Sequence, residues 1–291
     1  MKTKGFSARG QMLLSMLIFG TVGLFVRYIP LPSSLIACAR GVIGAVCIFL
    51  FMKLRAQRLD ISAIRRNAAV LLLSGAALGF NWVFLFEAYR YTTVATATLC
   101  YYLAPVIVML LSPWLLREKL TGRKLICCLV SLFGMVFVSG VLSGEKPQMT
   151  GILWGVGSAM LYACVMIFNK KLRNIAPQDR TVVQLGISAV LMFIYAALTE
   201  ETLSFQLPGT AWVMLMTVGV VHTGVAYLCY FGALRDLKAQ SAAIMSYVDP
   251  VAAILLSWLV LGEKLGLSGA LGAVLILGST LLSEMDTPGK K

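Results

Sequence analysis

Charge is what this sequence has least of, and acidic charge least of all. Of 291 residues, 12 are Asp or Glu and 25 are Lys or Arg, so 13% are charged, against about 25% in soluble domains. A water-facing surface needs more than that, which excludes a soluble globular protein. Histidine occurs once, at His222, so a paired-histidine zinc motif is excluded. No Walker loop and no GxGxxG element occurs, and with them goes the usual sequence evidence for a nucleotide cradle. The cysteines Cys38, Cys47, Cys100, Cys127, Cys128, Cys164 and Cys229 all lie in apolar runs without a CxxC pair. They read as small buried hydrophobes, and no metal or cofactor is expected.

What is present is apolar: 59% of the residues are hydrophobic. A hydrocarbon core of about 30 Å takes about 20 apolar residues per helix. Ten segments qualify, at 11–29, 33–53, 67–88, 93–116, 123–142, 150–170, 180–199, 211–233, 239–261 and 267–284. The expected fold class is an all-α membrane protein of ten transmembrane helices joined by short linkers. Lys2, Lys4 and Arg9 precede the first run as in a signal peptide, but Arg27 and Pro30 close it without a cleavage site. A retained first helix is therefore expected. The net charge of +13 is scattered between apolar runs, a pattern of membrane topology and not of nucleic-acid binding. With both termini in the cytoplasm, twenty Lys and Arg residues fall inside, and only Arg27, Arg90, Lys146 and Lys264 fall outside. That asymmetry is the positive-inside signal.

Two stretches nearly repeat. Tyr102-Leu103-Ala104-Pro105, an apolar run and Arg117-Glu118-Lys119-Leu120 match Tyr247-Val248-Asp249-Pro250, an apolar run and Gly262-Glu263-Lys264-Leu265, each pair 145 positions apart. The first copy is followed by Arg123 and Lys124, the second by Leu267 and Ser268. Five helices per half is an odd number, so the second half enters the membrane inverted, and the charges exchange sides as the helices repeat. The linker after the second helix carries five basic residues, while its counterpart around Glu200 and Glu201 carries none. The expected units are residues 1–145 and 146–291, two inverted five-helix repeats.

With this plan, with the paired motif endings, and with Arg40 inside the second helix in Cys38-Ala39-Arg40-Gly41, the chain resembles the drug/metabolite transporter superfamily, EamA type, over nearly its whole length. The resemblance implies transport of small metabolites, often amino acids, across the bacterial inner membrane. It also implies a central cavity lined by both halves and opened alternately to each side.

Pro105 and Pro250 are expected near the middle of helices four and nine. There they kink the helix and loosen the carbonyls of Tyr101 and Ser246, either as a packing device or to line a site. Asp249 stands where the first copy has Ala104. A carboxylate in an apolar helix costs roughly 2.5–3.5 kcal/mol on insertion scales, so it needs a cavity or a partner. It reads as a structural hydrogen bonder or as a proton-coupling or amine-binding group. Arg40 pairs with a buried acid or binds a substrate carboxylate. Glu87 is either its partner or a charge at the outer mouth. His222, mid-helix, is a satisfied buried histidine or a proton relay. Asn81 and Trp82 align with Ala226 and Tyr227, and Asn81 is expected to face inward. Tyr101, Tyr102, Tyr247, Trp154, Tyr162, Gln184 and Tyr227 are further candidates, with packing or belt roles as the alternative. Gly75-xxx-Gly79 and Gly151-xxx-Gly155 point to close helix packing.

The function expected is secondary transport of small organic metabolites, amino acids or amphiphilic amines, with export first and uptake or exchange as the alternative. Protons are the candidate coupling ion, and a homodimer is left open. A membrane enzyme would need a nucleophile–base or metal constellation, and one histidine and one deep aspartate make a poor set. A non-transporting scaffold is the other alternative.

Overall fold

The structure is a computed structural model and describes residues 7–117, 120–138, 148–201, 207–237, 242 and 245–285. Glu118 and Lys119 of the first repeated motif lie outside the described residues, as do Lys2, Lys4, Lys146, Lys238, Lys290 and Lys291. Among the described residues every regular element is helical.

Local chemistry sets the helix ends. Helix α1 (Ala8–Arg27) starts where the Ser7 hydroxyl accepts from Gly10 N at 3.2 Å. Helix α2 spans Ser33–Leu54. The short α3 (Ile61–Arg66) is capped by Asp60, which accepts from Ala63 N at 2.9 Å; it lies within what the hydropathy pattern leaves as a linker. Helix α4 (Ala68–Tyr91) ends before Thr93, whose hydroxyl accepts from Thr96 N and starts α5 (Val94–Tyr101). Helices α6 (Ala104–Leu115), α7 (Gly122–Val138), α8 (Met149–Lys171) and α9 (Pro177–Thr199) follow. Helix α10 (Gly209–Gly219) runs through a π-helical turn, Val220–Val225, into α11 (Ala226–Asp236). Helix α12 (Val248–Leu261) stops at Gly262, whose φ of +67° a side chain would strain. Helix α13 is Leu267–Met285.

Seven helical runs are long and apolar enough to cross a membrane: Ala8–Arg27, Ser33–Leu54, Ala68–Tyr91, Val94–Leu115, Met149–Lys171, Pro177–Thr199 and Gly209–Leu234. Val248–Leu261 and Leu267–Leu282 are shorter apolar helices. Large apolar side chains point outward along the bundle, Leu50, Leu72, Phe133, Val213 and Trp258 among them. In water that surface would drive aggregation; in lipid it costs nothing.

Helices early in the chain pack on late ones. α4 lies against α8 and α9, α2 against α9, α1 against α11 and α12, and α7 against α13. Small residues let them approach, as the GxxxG spacing predicts. A β-carbon at Gly75 would stand 2.8 Å from Ile187 on α9, and one at Gly155 would stand 2.7 Å from Cys100 Cβ on α5. Polar pairs join other contacts: Ser131 on α7 and Ser279 on α13 share a hydrogen bond of 2.6 Å.

Candidate functional site

The two copies of the repeated motif meet at their first residues, around Tyr102 and Asp249. The run Val94–Leu115 is broken at Tyr102-Leu103 into α5 and α6, so Pro105 stands in the first turn of α6. Pro250 stands likewise in the first turn of α12. The expected mid-helix kinks are therefore helix starts, where proline's missing N–H costs least. The carbonyl of Ser246, without a donor from Pro250, faces the Tyr102 hydroxyl at 3.5 Å. The same hydroxyl donates to Asp249 Oδ2 at 2.9 Å. A residue of the first copy thus holds the acid of the second, and the rings of Tyr102 and Tyr247 lie 6.3 Å apart.

Around this contact is a cavity of about 460 Å³. Asp249, Tyr101, Tyr102, Tyr162, Tyr227 and Tyr247 border it, together with Arg40, Trp82 and Pro105. Arg40 is 5% exposed. Its Nε donates to Thr223 Oγ1 at 2.8 Å, and its guanidinium carbon lies 4.2 Å from the centre of the Trp82 ring, a stacked cation–π contact. The π-helical turn makes that acceptor available. Wound one residue wider than an α-helix, it lets Thr223 donate to Val218 O at 3.1 Å, which fixes the hydroxyl with a lone pair toward Arg40. Asp249 and Arg40 border one cavity, and among the described residues no ion pair joins them.

Other candidates are engaged elsewhere, although Asn81 Oδ1 is buried without a hydrogen-bond partner among the described residues. His222 is 1% exposed. With its proton on Nδ1 it donates to Thr217 O at 3.2 Å, and Nε2 accepts from Thr21 at 2.8 Å, tying α1 to the π turn. Asn81 donates to the carbonyl and the hydroxyl of Ser158 on α8, both at 2.8 Å. Gln184 donates to Ser74 on α4 and Asn169 on α8 at 2.6 and 2.7 Å. Trp154 packs edge-on against Phe84 at 4.6 Å. These groups face neighbouring helices, not the cavity, and Pro250 is buried. Glu87 does not pair with Arg40; it accepts from Ser33 at 2.6 Å and pairs with Arg90 at 3.1 Å. It lines a second cavity, of about 630 Å³, with Arg27, Arg90 and Glu200, which places it at a charged mouth.

The description "EamA-like transporter family" matches residues 10–140 and again residues 149–285. The chain belongs to the EamA-like transporter family. It is a transporter of the drug/metabolite type and a multi-pass integral protein of the bacterial inner membrane. Relatives agree. The "Uncharacterized transporter YxxF" of Bacillus subtilis is 30% identical over 96% of this chain and 90% of its own length. The "Probable amino-acid metabolite efflux pump" of Salmonella typhimurium is 25% identical over 74% of this chain and 76% of its own. A solved crystal structure shares the fold with a TM-score of 0.67 at 20% identity, covering 97% of this chain and 98% of that one.

Sequence reasoning passes over several residues of this EamA transporter's interior. Phe19, Tyr89, Thr98 and Tyr230 border the central cavity; aromatic and hydroxyl side chains in apolar runs give no signal that separates cavity from core. Tyr89 lines the second cavity as well. Arg180, one of the twenty basic residues that the charge pattern puts inside, is partly buried. It acts electrostatically on Tyr162, Tyr227 and Tyr230, and its Nε is buried without a hydrogen-bond partner among the described residues. Glu263, in the Gly262-Glu263-Lys264-Leu265 motif, fastens three helices. It pairs with Arg27 at the end of α1 at 3.0 Å, accepts from Val94 N at the start of α5 at 2.8 Å, and accepts from the Ser257 hydroxyl of α12. Arg27 also donates to the carbonyls of Tyr89 and Thr92 at 2.8 and 3.1 Å.

Proposed function

We propose that this EamA transporter is a secondary carrier that exports small amphipathic metabolites, amino acids or organic amines, by alternating access. The observation that carries the reading is the pairing of Arg40 and Asp249 on one aromatic cavity without an ion pair between them. A cation and an anion held apart suit a solute that carries both charges, with Arg40 taking a carboxylate and Asp249 an ammonium group. The tyrosines and Trp82 suit an apolar or cationic body between them. Asp249 is also the group on which a proton and an amine would compete, which would couple export to a proton gradient. The relative named as a probable amino-acid metabolite efflux pump supports this cargo and direction.

In this reading the seven long spans together with α7, α12 and α13 make ten crossings, with both termini in the cytoplasm. Residues 1–145 and 146–291 are inverted repeats. The double family match, the motif spaced by 145 positions and the exchange of basic residues between matched linkers support it.

The test is counterflow of labelled amino acids and amines in proteoliposomes, with and without a pH gradient. Saturable counterflow that needs Asp249 supports the reading. No counterflow of either class overturns it.

A further inference from the structure

Two basic linkers of the chain form one surface. The first, between α2 and α4, exposes Lys53, Arg55, Arg58, Arg65 and Arg66. The second, between α8 and α9, exposes Lys171 and Arg173. A two-point amide bridge locks them together. Asn67 Nδ2 donates to Arg173 O at 2.9 Å, and Arg173 N donates to Asn67 Oδ1 at 3.0 Å. A third bond, from Asp60 N to Asp179 Oδ2 at 3.1 Å, joins α3 to α9 beside it. The acids in this neighbourhood are already engaged. Asp179 is 4% exposed, and Asp60 caps α3. Among the described residues no ion pair neutralises Arg58, Arg65 or Arg66.

Apolar side chains stand exposed among these charges, Leu54 at 87% and Ile61 at 52%. The Lys53 and Arg55 cations lie over Phe49 and Phe51 at 5.6 and 5.4 Å, so their stems run along the α2 rim. The surface joins the same ends of four apolar spans, α2, α4, α8 and α9, where headgroups of one leaflet begin. An aqueous polyanion would meet the guanidinium groups but would leave Leu54 and Ile61 in water. A lipid satisfies both, with its phosphate on the arginines and its glycerol and acyl carbons against the apolar pair.

We propose that this double linker is a docking surface for anionic phospholipid headgroups of the facing leaflet, held in register by the Asn67–Arg173 bridge. The purified full chain in neutral detergent would be titrated with phosphatidylglycerol and, separately, with phosphatidylcholine. Thermal unfolding and lipid retained after washing would be measured. Phosphatidylglycerol is expected to raise the unfolding midpoint and to be retained, and phosphatidylcholine is not. The variant carrying Arg58→Gln, Arg65→Gln and Arg66→Gln should retain at least about tenfold less phosphatidylglycerol. The matching triple lysine variant should keep most of it, which separates lost charge from lost fold. Equal responses to both lipids would overturn the proposal, as would an undiminished response in the glutamine variant. A shift of the same size with water-soluble glycerophosphoglycerol would also overturn it, because a free anion would then suffice.

Discussion

Among the described residues the Tyr102 phenol is the group that donates to Asp249, and its hydroxyl has no second strong acceptor there, since Ser246 O lies at 3.5 Å. An amine entering the cavity would meet no other hydrogen bond to the carboxylate among the described residues. Hydrogen bonds to charged groups contribute about 1.5–3 kcal/mol. Asp249→Asn is therefore expected to lower counterflow of an amine by at least about tenfold, and to leave it flat with pH where the parent responds, with the unfolding midpoint little changed. Normal pH-dependent counterflow in this variant would remove Asp249 from the mechanism. Arg180 allows a second test. Its buried Nε lacks a partner among the described residues, and its charge acts on three tyrosines of the cavity. Arg180→Gln should raise the KM of a carboxylated cargo about tenfold while leaving that of the decarboxylated amine alone. Equal rises for both would assign Arg180 a purely structural part. At this scale the sequence draws attention to Asp249 and Arg40, because a charge inside an apolar run has few neutral explanations, and both border the central cavity. It does not separate Tyr162 from Trp154, nor His222 from a relay. The face each residue turns to the cavity depends on where the neighbouring helix lies.

Helix ends carry the next set of consequences. Glu263 fastens α1, α5 and α12 through Arg27, Val94 N and Ser257. Glu263→Gln removes the ion pair and weakens the cap on α5. A loss of roughly 1–3 kcal/mol is expected, read as a lower unfolding midpoint, with an Arg27→Gln, Glu263→Gln double variant less destabilised than the sum of the singles. Additive losses would show that the two side chains act independently. Glycines on packed faces offer a matched comparison. A β-carbon at Gly75 meets Ile187 at 2.8 Å, whereas one at Gly186 meets nothing within 4 Å. Gly75→Ala should cost about 1–3 kcal/mol by overpacking, and Gly186→Ala should be neutral or should stabilise by up to about 1 kcal/mol. Thermal unfolding in detergent decides it, and equal effects would mean that α4 and α9 do not approach as described. Helix positions were legible from hydropathy, and the Gly75 contact from its spacing. The break at Tyr102-Leu103 and the π turn at Val220–Val225 were not, since each is met by groups that a distant helix supplies: the Asp249 carboxylate and the Ser246 carbonyl for the first, the Arg40 and Thr21 side chains for the second.

Across the whole molecule, α4 on α8 and α9 and α1 on α11 and α12 interleave early and late helices, so neither half closes a core of its own. The proposed inversion has a direct test. A single cysteine at Lys264 should react with an impermeant thiol reagent added outside intact cells, and one at Arg58 should react only after the membrane is opened. The reverse pattern would invert the topology, and labelling of both from one side would discard the inverted repeat. Composition and charge order by themselves determined that this chain lives in a bilayer, roughly where its helices run and which charges it keeps there, because lipid penalises each polar group separately and leaves that record in a single strand of sequence. Only the tertiary structure decided that Tyr102 holds Asp249, that Thr223 and Trp82 hold Arg40, that Glu87 does not, and that Tyr89 borders both cavities. Those are contacts between helices far apart in sequence. They depend on helix rotation and depth, which packing settles after every segment has already satisfied the membrane.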